Sequence, residues 1–177
     1  MSSTSTQPAE RTGQLAQGDV RLLGTELAQQ LLGSSIPARL AFVALDGTPR
    51  VVPTWFEWNG AEIVMGTYVA GPNAGIRHPA ARVAALRANP AVALTIDTDR
   101  FPSQSLAMRG RAEIDEVDGL APEYAASARR YLGDSAAAEM LASMDQPGTV
   151  QARIVVRPTW VGLLDFATRL PSPLGGV

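Results

Sequence analysis

Residues 51–68 read VVPTWFEWNGAEIVMGTY, and the way this stretch pairs decides the architecture. Two runs rich in β-branched, aromatic and aliphatic residues flank Asn59-Gly60, a dipeptide that tolerates positive φ and suits a tight reversal between strands. A strict two-residue turn would set Glu57 opposite Glu62, an unfavourable like-charge pair, so the pattern predicts a four-residue loop over 59–62. Alternation then puts Val52, Thr54, Phe56, Trp58, Ile63, Met65 and Thr67 on one face. Val51, Pro53, Trp55, Glu57, Val64, Gly66 and Tyr68 fall on the other. Neither face is simply polar. Such a hairpin needs cover on both sides, from the rest of its own barrel on one and from a ligand or second subunit on the other. Pro53 removes a ladder donor in mid-strand, which fits an edge or an opening where another molecule approaches the backbone.

Working outward from the hairpin, Pro37 opens a strand over 38–45 that turns through Asp46-Gly47-Thr48-Pro49 into residue 51, giving three consecutive antiparallel strands. Upstream, Asp19 caps a helix over 19–32, with Leu22, Leu23, Leu27, Leu31 and Leu32 on one stripe and Gly33 at its end. Residues 1–18 hold few apolar anchors and are expected to form a disordered arm. Downstream, the Gly- and Pro-rich loop 69–79 leads into a helix over 79–88 carrying Arg82 and Arg87, with proline at its first turn. Strands follow over 91–97 and 105–114, then a helical pair over 123–132 and 134–144 broken at Gly133. The last strands are expected over 150–156 and 160–164, ahead of an irregular tail over 167–177. Short strands with a few inserted helices, all within 19–166, predict one α+β domain built on a small antiparallel barrel.

The composition narrows the function classes. At 177 residues and 46% hydrophobic, the chain can bury a core of its own. A net charge of −2 without a block of like charge makes neither a nucleic-acid backbone nor an anionic membrane an obvious partner. Every basic side chain other than the one histidine is Arg; Arg suits bidentate contacts with phosphate or carboxylate, and coding bias explains the absence of Lys equally well. The absence of cysteine removes disulfides, thiol catalysis and thiolate metal sites. The first residues have neither an apolar core nor a basic flank, and no run approaches membrane-spanning length, so the cytoplasm is the expected location.

A dianionic phosphate needs a cation, donors and a helix N-terminus, and the strand-loop-helix unit from Thr67 to Arg82 offers all three. The plain alternative is that Arg82 is a solvated helix residue. The ordered segments LAFVALDGTPRVVPTWFEWNG, EIVMGT, ARVAALRANPAVAL, LAMRGRAEI and ARIVVRPTWVGLLDF, spanning about residues 36–166, resemble the flavin-binding split β-barrels related to pyridoxamine 5′-phosphate oxidase. The resemblance implies a PNPOx-like antiparallel split barrel with flanking helices, forming a homodimer with FMN, or alternatively a deazaflavin coenzyme, at the subunit interface. It further implies that the Thr67 hydroxyl and the Arg82 guanidinium hold the cofactor phosphate, that backbone groups of Val52, Pro53 and Thr54 edge the ring, and that Trp55 lies beside it. The chain departs from the family at Ala85, where Asn is common, and in the longer loop between Thr67 and Arg82.

Other candidates stay open. His78, the only histidine, sits in that loop as an acid, a phosphate contact or a surface residue. Trp55 and Trp58 read as packing and interface rather than catalytic groups. Arg109 or Arg111 could meet a cofactor anion or form a structural ion pair. No catalytic dyad, triad or metal set is visible. That fits a flavin oxidoreductase, in which the isoalloxazine carries the redox chemistry, and equally fits a flavin-binding or storage protein. The Arg- and His-containing C-terminal signature of true pyridoxamine phosphate oxidases is missing, so that activity is not expected. Hydride transfer to or from an unassigned small molecule is the expected reaction class.

Overall fold

Alternating apolar residues and turn-forming glycines produce seven strands in the computed structural model, which describes residues 15–72 and 81–166. They are β1 (Ala38–Val43), β2 (Pro49–Thr54), β3 (Glu57–Trp58), β4 (Ile63–Ala70), β5 (Ala91–Asp97), β6 (Gln104–Asp118) and β7 (Val150–Asp165). All their pairings are antiparallel, in the order β2-β1-β5-β6-β7-β4-β3. The helices are α1 (Glu26–Leu32), α2 (Ala81–Ala88), α3 (Pro122–Leu132) and α4 (Asp134–Met144).

The 51–68 stretch is a hairpin only at its tip. β3 pairs with β4 through Glu57↔Val64 and Trp58↔Ile63, around the expected loop over 59–62. There the Asn59 side-chain oxygen accepts from the backbone N–H groups of Ala61 and Glu62, at 3.0 and 2.8 Å, and Gly60 takes φ +97°. The first arm does not continue alongside β4. Residues 49–54 pair with β1, Thr54 lying opposite Ala38, so the three-strand meander is replaced by two hairpins on opposite edges of one sheet. Trp55 and Phe56 carry the chain between those edges. Three residue steps reach about 10–11 Å at most, so the sheet has to curl until β2 and β3 nearly meet, forming a barrel with a split in its wall.

Inside that barrel lie Phe56, Ile63 and Met65, as alternation required, with Leu40, Leu94, Met108 and Ile154 completing the fill. Each such side chain contributes on the order of 1.5–3 kcal/mol when fully buried. The entry segment packs its leucines on this core, but it is not one helix. A 3₁₀ turn, Val20–Gly24, precedes α1, because the Thr25 hydroxyl donates to the Leu22 carbonyl (2.7 Å) and accepts from Ala28 N–H, ending one element and capping the next. Before it, residues 15–18 dock on β7: Gln17 exchanges two hydrogen bonds with the backbone of Leu163, at 2.7 and 2.8 Å.

Two further boundaries move. The two expected C-terminal strands are one, β7, because Pro158, which cannot donate, is absorbed at a register shift where Arg109 faces Trp160 and Gly110 faces Pro158. β6 runs on to Asp118 because the long β7 pairs with it throughout. The helical pair α3–α4 divides at Gly133 as expected, at φ +79°.

The outer face of the hairpin is covered at Trp55, Gly66 and Tyr68 by the chain's own α3, where a ligand or second subunit was expected. A Cβ at Gly66 would sit 2.9 Å from the Tyr124 Cβ, so only glycine lets the helix lie this close. Val51, at 64% exposure, stays uncovered, as does Pro53. Pro53 does lie on an edge strand, β2.

Candidate functional site in the barrel split

The brevity of β3 makes the site. It pairs only with Ile63 and Val64, so beyond Val64 the β4 edge on that side has no strand partner among the described residues. β2, the opposite edge, likewise presents an unpaired row of backbone groups. Between them lies a cleft of about 480 Å³ lined by Pro37, Pro53, Thr54, Trp55, Gly66, Arg82 and Tyr124. A second cleft, also about 480 Å³, lies on the other side of Arg82, with Phe42, Ala44, Val52 and Ala85 as apolar walls and the Asp46–Arg50 ion pair (2.9 Å) among its lining.

Arg82 reaches both clefts from α2. Val83, Ala85 and Leu86 bury the helix against the barrel, which leaves Arg82 partly buried. Among the described residues its guanidinium has no hydrogen-bond or ion-pair partner. Burial pushes the group below its ordinary value. A desolvated cation without a counter-charge is unfavourable until an anion arrives, and the guanidinium fork matches phosphate or carboxylate.

Four of the sequence-predicted residues, Pro53, Thr54, Trp55 and Arg82, therefore meet at one cleft, and Val52 joins Arg82 at the other. Thr67 lines neither cleft; it is 8% exposed, sits opposite Ala152 on β7, and alternates in phase with Ile63 and Met65. His78, most of the 69–79 loop and the expected helix start at Pro79 lie outside the described residues. Trp58 packs on the barrel core. Arg109 stacks on Trp160 at 4.0 Å from the ring centroid, Arg111 is exposed, and neither lines either cleft.

Sequence reasoning missed the part played by α3. Tyr131 stacks on Trp55 with ring centroids 5.0 Å apart and planes 6° apart, and Tyr124 packs against the same indole at 6.4 Å. The signal was available: Tyr124, Ala128 and Tyr131 recur at helical spacing on one face. Tyr124 also meets the edge of Tyr68. Burial, followed by the Tyr124 phenol, pushes Tyr68 up to about 12, so it stays neutral and is no general base. No cluster of His, Cys, Asp or Glu among the described residues could hold a metal, and no described helix is long and apolar enough to cross a membrane.

No family model matches the chain, and no curated protein does. Solved structures do. An F420 reductase is 28% identical, with a TM-score of 0.55 over 76% of this chain and 94% of its own. A conserved hypothetical protein from Mycobacterium tuberculosis is 22% identical, with a TM-score of 0.57 over 93% and 98%. A putative pyridoxamine 5′-phosphate oxidase from Listeria innocua is 19% identical, with a TM-score of 0.50 over 78% and 95%. Together with the split seven-stranded barrel, these likenesses give the chain the fold shared by the F420 reductase and the putative pyridoxamine 5′-phosphate oxidase, an antiparallel split barrel with flanking helices.

Proposed function

We propose that the protein binds a flavin-type cofactor in the barrel split and acts as a cytoplasmic oxidoreductase, working as a homodimer. The observation that carries this reading is Arg82, a guanidinium with no partner among the described residues, pushed below its ordinary value by burial and poised between two clefts. The residues present fit such a group. Arg82 supplies the counter-charge for a phosphate, the free edge of β2 at Val52, Pro53 and Thr54 offers backbone groups to the rim of a ring, and Trp55 and Tyr124 give it an aromatic flank that excludes water. When bound, the isoalloxazine supplies hydride-transfer chemistry; the chain supplies position and charge. Thr67 as a second phosphate ligand requires its buried hydroxyl to turn toward the α2 end of the cleft.

FMN is the first reading, on the ordered segments around residues 36–166. A deazaflavin is the second, favoured by the likeness to the F420 reductase, which at 28% identity exceeds the other similar structures described above. Anaerobic mixing of the loaded protein with NADH, NADPH and reduced deazaflavin tests the catalytic half: an oxidoreductase loses its bound-flavin absorbance with one of these donors. A chain that binds the cofactor yet is bleached by none is a binding or storage protein.

A further inference from the structure

Arg130 lies on α3, outside the cleft lining, yet it ties together the segments that shape the cleft. One terminal nitrogen donates to the Leu32 carbonyl at 3.0 Å, at the C-terminal end of α1, and the other donates to the Phe56 carbonyl. Glu57 lies 3.7 Å away, and the guanidinium stacks over the Phe56 ring at 4.7 Å and the Tyr131 ring at 5.1 Å. The next residue, Tyr131, donates its hydroxyl to the Ile36 carbonyl at 3.1 Å and lies flat on Trp55. Both carbonyl acceptors belong to segments that end where the cleft begins: Phe56 closes the edge-to-edge crossover, and Leu32 precedes the turn leading to Pro37.

From this geometry we infer that Arg130 is the positioning residue of the ligand cleft: through its fork to Leu32 and Phe56, and through Tyr131, it sets the orientation of Trp55 and hence the wall on which a planar ligand rests. The inference deepens the flavin reading and rests on it for the identity of the ligand. A lone ammonium cannot span two carbonyls on different elements while lying flat on two rings; a guanidinium can. The crossover residues Trp55 and Phe56 belong to no strand, so the ladder alone does not hold Trp55 in place.

The test uses the full chain carrying Trp58→Phe and Trp160→Phe, so that Trp55 is the sole indole, with Arg130→Met and Arg130→Lys compared against that background. In ligand-free protein of retained far-UV circular dichroism, Arg130→Met is expected to red-shift Trp55 emission and raise its acrylamide quenching. Arg130→Lys, which keeps the charge but loses the planar fork, is expected to fall between. In the otherwise native chain, Arg130→Met is expected to weaken FMN and riboflavin alike by about ten-fold, the loss of a charge-assisted hydrogen bond expressed as affinity. Unchanged Trp55 emission and quenching in a folded Arg130→Met variant would overturn the inference. So would unchanged riboflavin affinity where the parent binds it. If the parent protein binds no flavin, the flavin reading falls, and the ligand-free Trp55 measurement still decides the role of Arg130. If Arg130→Met does not fold, the emission of Arg130→Lys decides: matching the background overturns the inference, and an intermediate shift supports it.

Discussion

Tyr131 lies flat against Trp55, with ring centroids 5.0 Å apart and planes within 6° of parallel, so a helix 76 positions along the chain sets the face that the strand crossover shows to the cleft. The Tyr131 hydroxyl is anchored on the Ile36 carbonyl. Removing that hydroxyl alone, in Tyr131→Phe, is expected to cost about 1 kcal/mol of stability and to leave the stack intact. Tyr131→Ala removes the stack as well and is expected to cost roughly 2–3 kcal/mol, below the value for a fully buried ring because Tyr131 is only partly buried. Urea unfolding of the two variants separates the contributions.

Gly66 sets how closely α3 can lie on β4. The Cβ of an alanine there would fall 2.9 Å from the Tyr124 Cβ and 3.0 Å from its ring, and the nearer atom is not the tip of a flexible chain. Gly66→Ala is expected to destabilise the fold by about 1–3 kcal/mol through overpacking, and to displace Tyr124 from the cleft wall. A shift in tyrosine near-UV circular dichroism alongside a lowered urea midpoint would register both effects.

The phosphate-binding role proposed for Arg82 implies a cost to stability. Losing a charge-assisted contact to phosphate costs about 1.5–3 kcal/mol, so Arg82→Ala is expected to weaken FMN by roughly ten- to a hundred-fold while riboflavin changes little. Because the guanidinium is desolvated without a partner among the described residues, the same variant is expected to melt no lower than the parent when ligand-free. Equal losses for FMN and riboflavin would move the phosphate contact elsewhere.

Glu123 and Arg153 join α3 to β7, with Arg153 Nε donating to Glu123 Oε2 at 3.0 Å. That hydrogen bond holds the Glu123 carboxyl below its ordinary value near 4.5. A carboxylate with a depressed folded-state value stabilises the fold above its unfolded value and loses that contribution as pH falls through the folded one. The stability gap between parent and Arg153→Gln is therefore expected to be widest near neutrality and to close as pH drops below about 4.5. Asp115, 3.3 Å from Arg153 but 64% exposed, adds little. Urea midpoints across that range check the trend.

Much of this architecture was legible in the residues. The like-charge argument at Glu57 and Glu62 placed the loop over 59–62, Pro53 marked an edge, and Gly133 marked the break between α3 and α4. The crossover was not legible, for a physical reason: Val52, Thr54, Phe56 and Trp58 keep one inward phase straight through it, so alternation reports the face and is silent about which strand lies alongside. Partner choice is a long-range property that a local period does not encode. The same limit hid α3. Tyr124, Ala128 and Tyr131 form one face at helical spacing, and only the fold shows that Trp55 is what that face packs on. Arg82 was legible as a cation after a strand and loop; that it lacks a partner among the described residues was not.

The central claim, a phosphate-bearing flavin-type ring in the barrel split, is tested most directly by titrating the purified, cofactor-stripped chain with FMN, FAD and a deazaflavin coenzyme, following ligand and tryptophan fluorescence. The expected result is saturable quenching at one ligand per chain by FMN or the deazaflavin, with Trp55 emission responding. The absence of saturable binding by all three would contradict it.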